Sequence, residues 1–161
     1  MAMSEITIRT ATREDQEILL EMLCEFARYE QLEPPDEAGQ QRLIEDGFGE
    51  RRRFEALLAE VGARAAGYAI FYEIYSSFLA RPKLYVEDLY VRLEFRGRGI
   101  GRALFEACAL EAERRGFDRM QWYVEDRNER AVSFYQQMGA HRLNWQTWQL
   151  DCPAQKNEER F

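Results

Sequence analysis

The stretch Glu94-Phe95-Arg96-Gly97-Arg98-Gly99-Ile100-Gly101-Arg102-Ala103-Leu104 decides how this chain is read. Three glycines alternate with longer residues. The run 84–91, Leu-Tyr-Val-Glu-Asp-Leu-Tyr-Val, precedes them and reads as a strand. A helical pattern over 100–115 follows, with Ile100, Leu104, Ala107 and Cys108 on one face. A glycine loop between a strand and a helix puts open backbone N–H groups at the positive helix end, which suits an anion and phosphate above all. Glycines let a ligand approach the backbone closely. Arg92, Arg96, Arg98 and Arg102 surround the loop in a chain of net charge −7. A P-loop would need GxxxxGK followed by Ser or Thr, and a dinucleotide loop would need GxGxxG, where the last position here is Arg102.

Outward from the loop, the chain reads as alternating elements. Residues 6–9 form a first strand, and Thr12-Arg13-Glu14-Asp15 matches a capping box. Ile18, Met22, Phe26 and Tyr29 follow at helical spacing, and Pro34-Pro35 is expected to end that helix. A short helix is expected over 37–45, with Gly47 and Gly49 closing it. Strands are expected over 54–61 and 65–74 around the turn Gly62-Ala63-Arg64, then a loop over 76–83, then the strand 84–91. After Gly116 come a strand over 120–124, a helix from Asn128 to Met138 closed by Gly139, and a last strand over 140–150. The order βααβββαβαβ predicts an α+β fold, a mixed sheet flanked by helices. One domain is expected over residues 4–151, with a polar tail over 152–161.

Composition narrows the function. The 161 residues suit one domain, and 46% hydrophobic content suits a packed core. No apolar run is long enough to span a membrane, and the first ten residues lack a signal peptide's basic start and apolar centre, so a cytoplasmic protein is expected. Cys24, Cys108 and Cys152 are too scattered for a disulfide framework, and one histidine, His141, builds no metal site, so no metal is expected. An acidic chain is a poor general partner for nucleic acid.

Arg96-x-x-Gly99-x-Gly101 resembles the coenzyme A pyrophosphate loop of the GNAT acetyltransferase superfamily. Asn128-x-x-Ala131-x-x-x-Tyr135-x-x-x-Gly139-Ala140 resembles that family's second cofactor segment. Ala27-Arg28-Tyr29-Glu30, the run 45–50 (Glu-Asp-Gly-Phe-Gly-Glu), the run 85–91 and Phe134-Tyr135 resemble the diamine (spermidine/spermine) acetyltransferase branch, which includes the thialysine acetyltransferases. The resemblance implies a single GNAT domain with a mostly antiparallel sheet. It also implies acetyl-CoA as co-substrate, a small-molecule primary amine as acceptor, and a homodimer. It places the backbone of Leu89, Tyr90 and Val91 along the pantetheine arm and Arg96, Gly97, Arg98, Gly99, Ile100, Gly101 and Arg102 on the pyrophosphate. Asn128, Glu129, Arg130 and Ala131 fall near the cofactor. Tyr29, Glu30, Glu87, Asp88, Gln121, Trp122 and Tyr123 fall on the substrate.

The chemistry gives two of these residues sharper roles. An alkyl amine of pKa about 10.4 is protonated at neutral pH and must lose a proton before it attacks. Glu87 and Asp88 interrupt an apolar strand, where unpartnered acids are costly. A regular strand aims only one of them at a given site, although a bulge alters that geometry. Glu87 reads as the anchor and proton acceptor, directly or through water, with a structural ion pair as the other reading. Tyr135, by resemblance, is the acid that protonates the departing sulfur and a further cofactor contact. N–H groups near Leu89 are candidates to polarise the carbonyl. The polyamine branch carries an acid before the central strand, where this chain has Tyr75-Ser76-Ser77-Phe78, and another near the C-terminus, where Gln146 stands. Both losses disfavour a long polycation and favour a shorter or lysine-like amine. A protein lysine or N-terminal acetyltransferase and a non-catalytic acyl-CoA-binding module are the alternatives.

Overall fold

The computed structural model describes residues 5–152. The tail read from Pro153 onward lies outside the described residues. The chain falls into two compact units, one up to Tyr123 and one from Val124. The first holds β1 (Ile6–Thr10), α1 (Gln16–Tyr29), α2 (Glu37–Phe48), β2 (Glu55–Val61), β3 (Arg64–Ser76), β4 (Arg81–Val91), α3 (Ile100–Arg114) and β5 (Met120–Gln121). The five strands form one sheet in chain order. Neighbours are antiparallel except β4 and β5, which run parallel. This is the mixed sheet flanked by helices that the pattern predicts, mostly antiparallel as the resemblance implies.

Alternation along the strands builds a core on each face. Leu57, Ala59, Ala69, Phe71, Leu84 and Val86 point to one face and are buried with Ile100, Leu104 and Cys108 of α3. Ala56, Leu58, Tyr68, Ile70 and Tyr90 point to the other and are buried with Leu19 and Met22 of α1. The stripe read on α3 is therefore its core face. Burial pushes the Cys108 thiol up to about 12, so this cysteine packs as an inert apolar group.

Several boundaries differ from the sequence reading. The Asp15 carboxylate accepts the Thr12 backbone N–H at 2.7 Å, as a capping acid does, but the residues after Thr12 first make a 3₁₀ turn. α1 stops at Tyr29, well before Pro34. Gln31 turns left-handed (φ 60°) and the Leu32 N–H reaches the Ala27 carbonyl at 2.9 Å, a Schellman-type stop that needs no proline. α2 runs on through Gly47 to Phe48. The expected 76–83 loop shrinks to a turn over 77–80, because β3 and β4 stay paired out to Ser76 and Arg81. Pro82 is tolerated there because β5 pairs only from Leu84 onward, so no ladder needs its N–H.

In the second unit, α4 (Glu129–Gln137) is capped by Asn128, whose side-chain oxygen accepts the Ala131 N–H at 3.1 Å. Gly139 follows with φ 85°. The strand expected over 140–150 is not formed. A strand exists only by pairing, and this unit's described residues supply no second strand for it. Strand β5 is likewise two residues, shorter than the expected 120–124.

Candidate active site

The site begins with a disruption in β4. Pairing with β3 is regular from Arg81 to Val86 and again from Asp88 to Val91, but Val86 faces Phe71 while Asp88 faces Ile70. Glu87 is therefore the extra residue of a β-bulge. Before it, Leu84 and Val86 point to the α3 core. After it, Leu89 and Val91 take that direction. The bulge brings the carboxylates of Glu87 and Asp88 to the same, opposite face. There the Tyr72 hydroxyl donates to Glu87 Oε2 at 2.8 Å, and the Tyr68 hydroxyl donates to Asp88 Oδ2 at 3.3 Å. Tyr68 and Tyr72 are four residues apart on β3, so they share a face and meet the two acids in turn. Among the described residues neither acid makes the structural ion pair that was the competing reading; each is held by a tyrosine hydroxyl.

The two acids differ in setting. Glu87 is exposed. Asp88 is partly buried, and loss of solvation, then the charge of Glu87, push its carboxyl up to about 6. Tyr72 is pushed up to about 12 by loss of solvation and by its bond to Glu87, so it stays a donor at neutral pH. Beyond Glu87 the same face is aromatic. The Tyr85 ring lies 5.2 Å from Tyr72 and 5.5 Å from Tyr123, the latter edge-on. Gln121 shares this face and accepts from Lys83 Nζ at 2.8 Å. Trp122 does not join it. Its alternation sends it to the α3 side, where its ring meets Phe105 edge-on at 5.1 Å.

β4 also offers an edge. β5 pairs only with Leu84 and Tyr85, so among the described residues no strand covers Val86 to Val91 on that side. The open edge leads to the glycine loop. Gly97 and Gly99 have φ of 75° and 83°, a backbone that other residues rarely adopt. Gly99 is the N-cap of α3 and carries no side chain to satisfy the first N–H groups of the helix, and no acid stands in the first turn. Gly101 has no positive φ, and a Cβ there would meet only Val91 Cγ2 at 3.8 Å. The protein's own packing does not require glycine at 101. An exposed glycine loop, uncapped N–H groups and an uncovered strand edge suit the diphosphate and the amide-bearing arm of coenzyme A.

The arginines around the loop are unequal. Arg96 Nε donates to the Val91 carbonyl at 2.8 Å, and its guanidinium lies 4.3 Å from the Tyr29 ring. Tyr29 thus packs against Arg96 of the glycine loop, and the neighbouring Glu30 is exposed. Arg98 is exposed beside Phe95, 5.6 Å from the ring, and Arg102 is exposed, 3.4 Å from Glu106. Arg92, which the sequence groups with them, is turned away. It pairs with Glu25 at 2.8 Å and with Glu21, tying α1 to the end of β4.

In the second unit, Asn128 spends its side-chain oxygen on the cap, Glu129 and Arg130 are exposed in the first turn of α4, and Ala131 is half-buried. Tyr135 packs edge-on against Phe134 at 5.1 Å. Among the described residues no group of three or more histidine, cysteine or acidic side chains is placed to hold a metal, and no helix is long and apolar enough to cross a membrane. Sequence reasoning missed Tyr68 and Tyr72 as partners of the acids. Their signal was a four-residue spacing of tyrosines in an apolar strand.

Known proteins resemble this chain in sequence and in fold. A thialysine N-epsilon-acetyltransferase of Sus scrofa is 33% identical over 96% of this chain and 97% of its own length. An L-ornithine N5-acetyltransferase of Arabidopsis thaliana is 43% identical over 47% of this chain and 33% of its own. Among solved structures, a possible acetyltransferase from Clostridium difficile 630 shares the fold with a TM-score of 0.82 at 17% identity, covering 92% of this chain and 99% of that one. Residues 17–140 match the Acetyltransferase (GNAT) family. With the bulged acidic strand, the open β4 edge and the uncapped α3 N-terminus, these likenesses place the chain in the GNAT family, as an acetyl-CoA-dependent N-acetyltransferase.

Proposed function

We propose that this acetyltransferase acts on the primary amine of a small molecule, a diamine, polyamine or lysine-like amino acid, with Glu87 as anchor and base and Tyr135 as acid. The observation that carries the reading is the bulge, which puts two carboxylates on one aromatic face beside an open strand edge. The names of the pig and Arabidopsis relatives, thialysine and ornithine acetyltransferases, support a small-molecule amine.

Acetyl-CoA supplies an activated acetyl group as a thioester. The incoming alkylammonium is drawn to Glu87, whose Oε2 is fixed by Tyr72. Glu87 accepts one proton from the ammonium, directly or through water, which frees the nitrogen lone pair to form the new C–N bond as the C–S bond breaks, and the nitrogen loses its second proton to solvent as the amide forms. Tyr135 donates a proton to the departing sulfur, an assignment that rests on the sequence resemblance. Backbone N–H groups on the uncovered edge near Leu89 polarise the carbonyl. Substrate contacts extend to Asp88, Tyr123 and Gln121, with Tyr29 and Glu30 at the end of α1. Arg96 to Arg102 and Asn128 to Ala131 serve the cofactor. A homodimer completes the reading and rests on resemblance alone.

The test is steady-state kinetics of amine acetylation with Glu87→Gln and Tyr135→Phe. Each is expected to lower kcat by about 10²–10⁴-fold, the usual worth of a positioned acid or base. Wild-type rates in Glu87→Gln would end the assignment of the base, and wild-type rates in Tyr135→Phe would end that of the acid.

A further inference from the structure

Of the chain's two lysines, Lys83 alone falls among the described residues; every other basic side chain there, His141 apart, is an arginine. It stands on β4 two residues before Tyr85 and four before Glu87. Alternation puts it on the face of Tyr85, because Leu84 and Val86 between them point to the α3 core. Its ammonium donates to Gln121 Oε1 at 2.8 Å on the same face of β5. Among the described residues no carboxylate pairs with it, whereas Arg81, two positions earlier, holds Asp118 at 3.0 Å. A half-buried cation held only by a neutral amide keeps attraction to spare for an anion.

This face therefore has a carboxylate at one end, a cation at the other and the rings of Tyr72, Tyr85 and Tyr123 between them. The ends stand four positions apart in the strand, roughly 13 Å along β4. We propose that Lys83, oriented by Gln121, reads the carboxylate of the acceptor, so that the substrate is an amino acid whose side-chain amine is acetylated at Glu87, in preference to a diamine. The proposal rests on the amine-acetylating reading above and narrows it. An acceptor with a cation at both ends meets Lys83 as a like charge.

The experiment compares L-lysine with 1,5-diaminopentane, which differs only by lacking the carboxylate, and L-ornithine with 1,4-diaminobutane. kcat and KM are measured for wild type, Lys83→Met, Lys83→Arg and Lys83→Glu, and binding of each amine is measured by calorimetry. Acetyl-CoA binding in each variant checks the fold. Wild type is expected to favour the amino acid of each pair by roughly 10- to 100-fold in kcat/KM, the worth of a charge-assisted hydrogen bond. Lys83→Met erases the preference chiefly through KM, Lys83→Arg retains part of it, and Lys83→Glu reverses it toward the diamine. If wild type treats both members of a pair alike, or Lys83→Met keeps the preference, the role of Lys83 is wrong while amine acetylation stands. If no amine binds or reacts, the functional reading itself fails and this inference with it.

Discussion

Asp88 holds a carboxyl shifted from an ordinary 3.8 to about 6, chiefly by loss of solvation and secondly by the charge of Glu87. That shift has a cost in stability with a definite sign. Between about pH 4 and 6 the folded state binds more protons at this site than the unfolded chain, so stability falls as pH rises through that window, and the whole cost is present above it. About two units at 1.36 kcal/mol each give about 3 kcal/mol. Asp88→Asn removes the charge while keeping an acceptor for the Tyr68 hydroxyl. A weaker bond to a neutral oxygen returns up to about 1 kcal/mol. The variant is therefore expected to be more stable than wild type by about 2–3 kcal/mol at pH 8, some 5–10 °C in melting temperature for a chain of this size. The gain shrinks toward zero near pH 4. Urea denaturation of both proteins at pH 4, 5, 6, 7 and 8 measures it, and acid effects common to both cancel in the difference. A difference that is flat across pH, or a variant less stable at pH 8, would refute the argument. The gain should come with reduced amine acetylation, since an acid kept at such a cost is one the site uses.

Two further predictions concern the glycine loop and the start of α4. Gly101→Ala is expected to fold, because a Cβ there meets only Val91 Cγ2 at 3.8 Å, yet to bind acetyl-CoA at least about tenfold more weakly, a loss of about 1.4 kcal/mol read by calorimetry. Wild-type affinity would remove this residue from the proposed cofactor site. Asn128→Ala deletes the acceptor for the Ala131 N–H and is expected to cost about 1 kcal/mol in denaturant unfolding; no loss would mean that the cap bond does not hold α4.

Much of the fold is legible in the sequence because its signals are local. The apolar stripe of α3, the capping Asn128, and the strand-loop-helix passage at Gly97 to Gly101 each follow from periodicity or from a backbone demand confined to a few residues. The misses have tertiary causes. Whether residues 76–83 form loop or strand depends on how long two strands stay paired, which Pro82 alone does not reveal. Residues 140–150 alternate like a strand, but alternation supplies no partner. The helix stop at Gln31 uses a left-handed residue that is not glycine, so punctuation by Gly and Pro points too far downstream. In the site, the pair Glu87-Asp88 is conspicuous in an apolar run, but its geometry hangs on a bulge that is a relation between β3 and β4. The same holds for Tyr68 and Tyr72, whose value appears only when the register sets them opposite the acids. Trp122 shows the reverse case: it neighbours Gln121 and Tyr123 in sequence, and alternation carries it to the other face.

The most direct test of the account is release of free thiol from acetyl-CoA in the presence and absence of small primary amines, with the acetylated amine identified by mass spectrometry. The account predicts thiol release that requires the amine, matches the acetylamine formed one for one, and collapses in Glu87→Gln. Acetyl-CoA binding without amine-dependent release, or release that Glu87→Gln leaves intact, would contradict it.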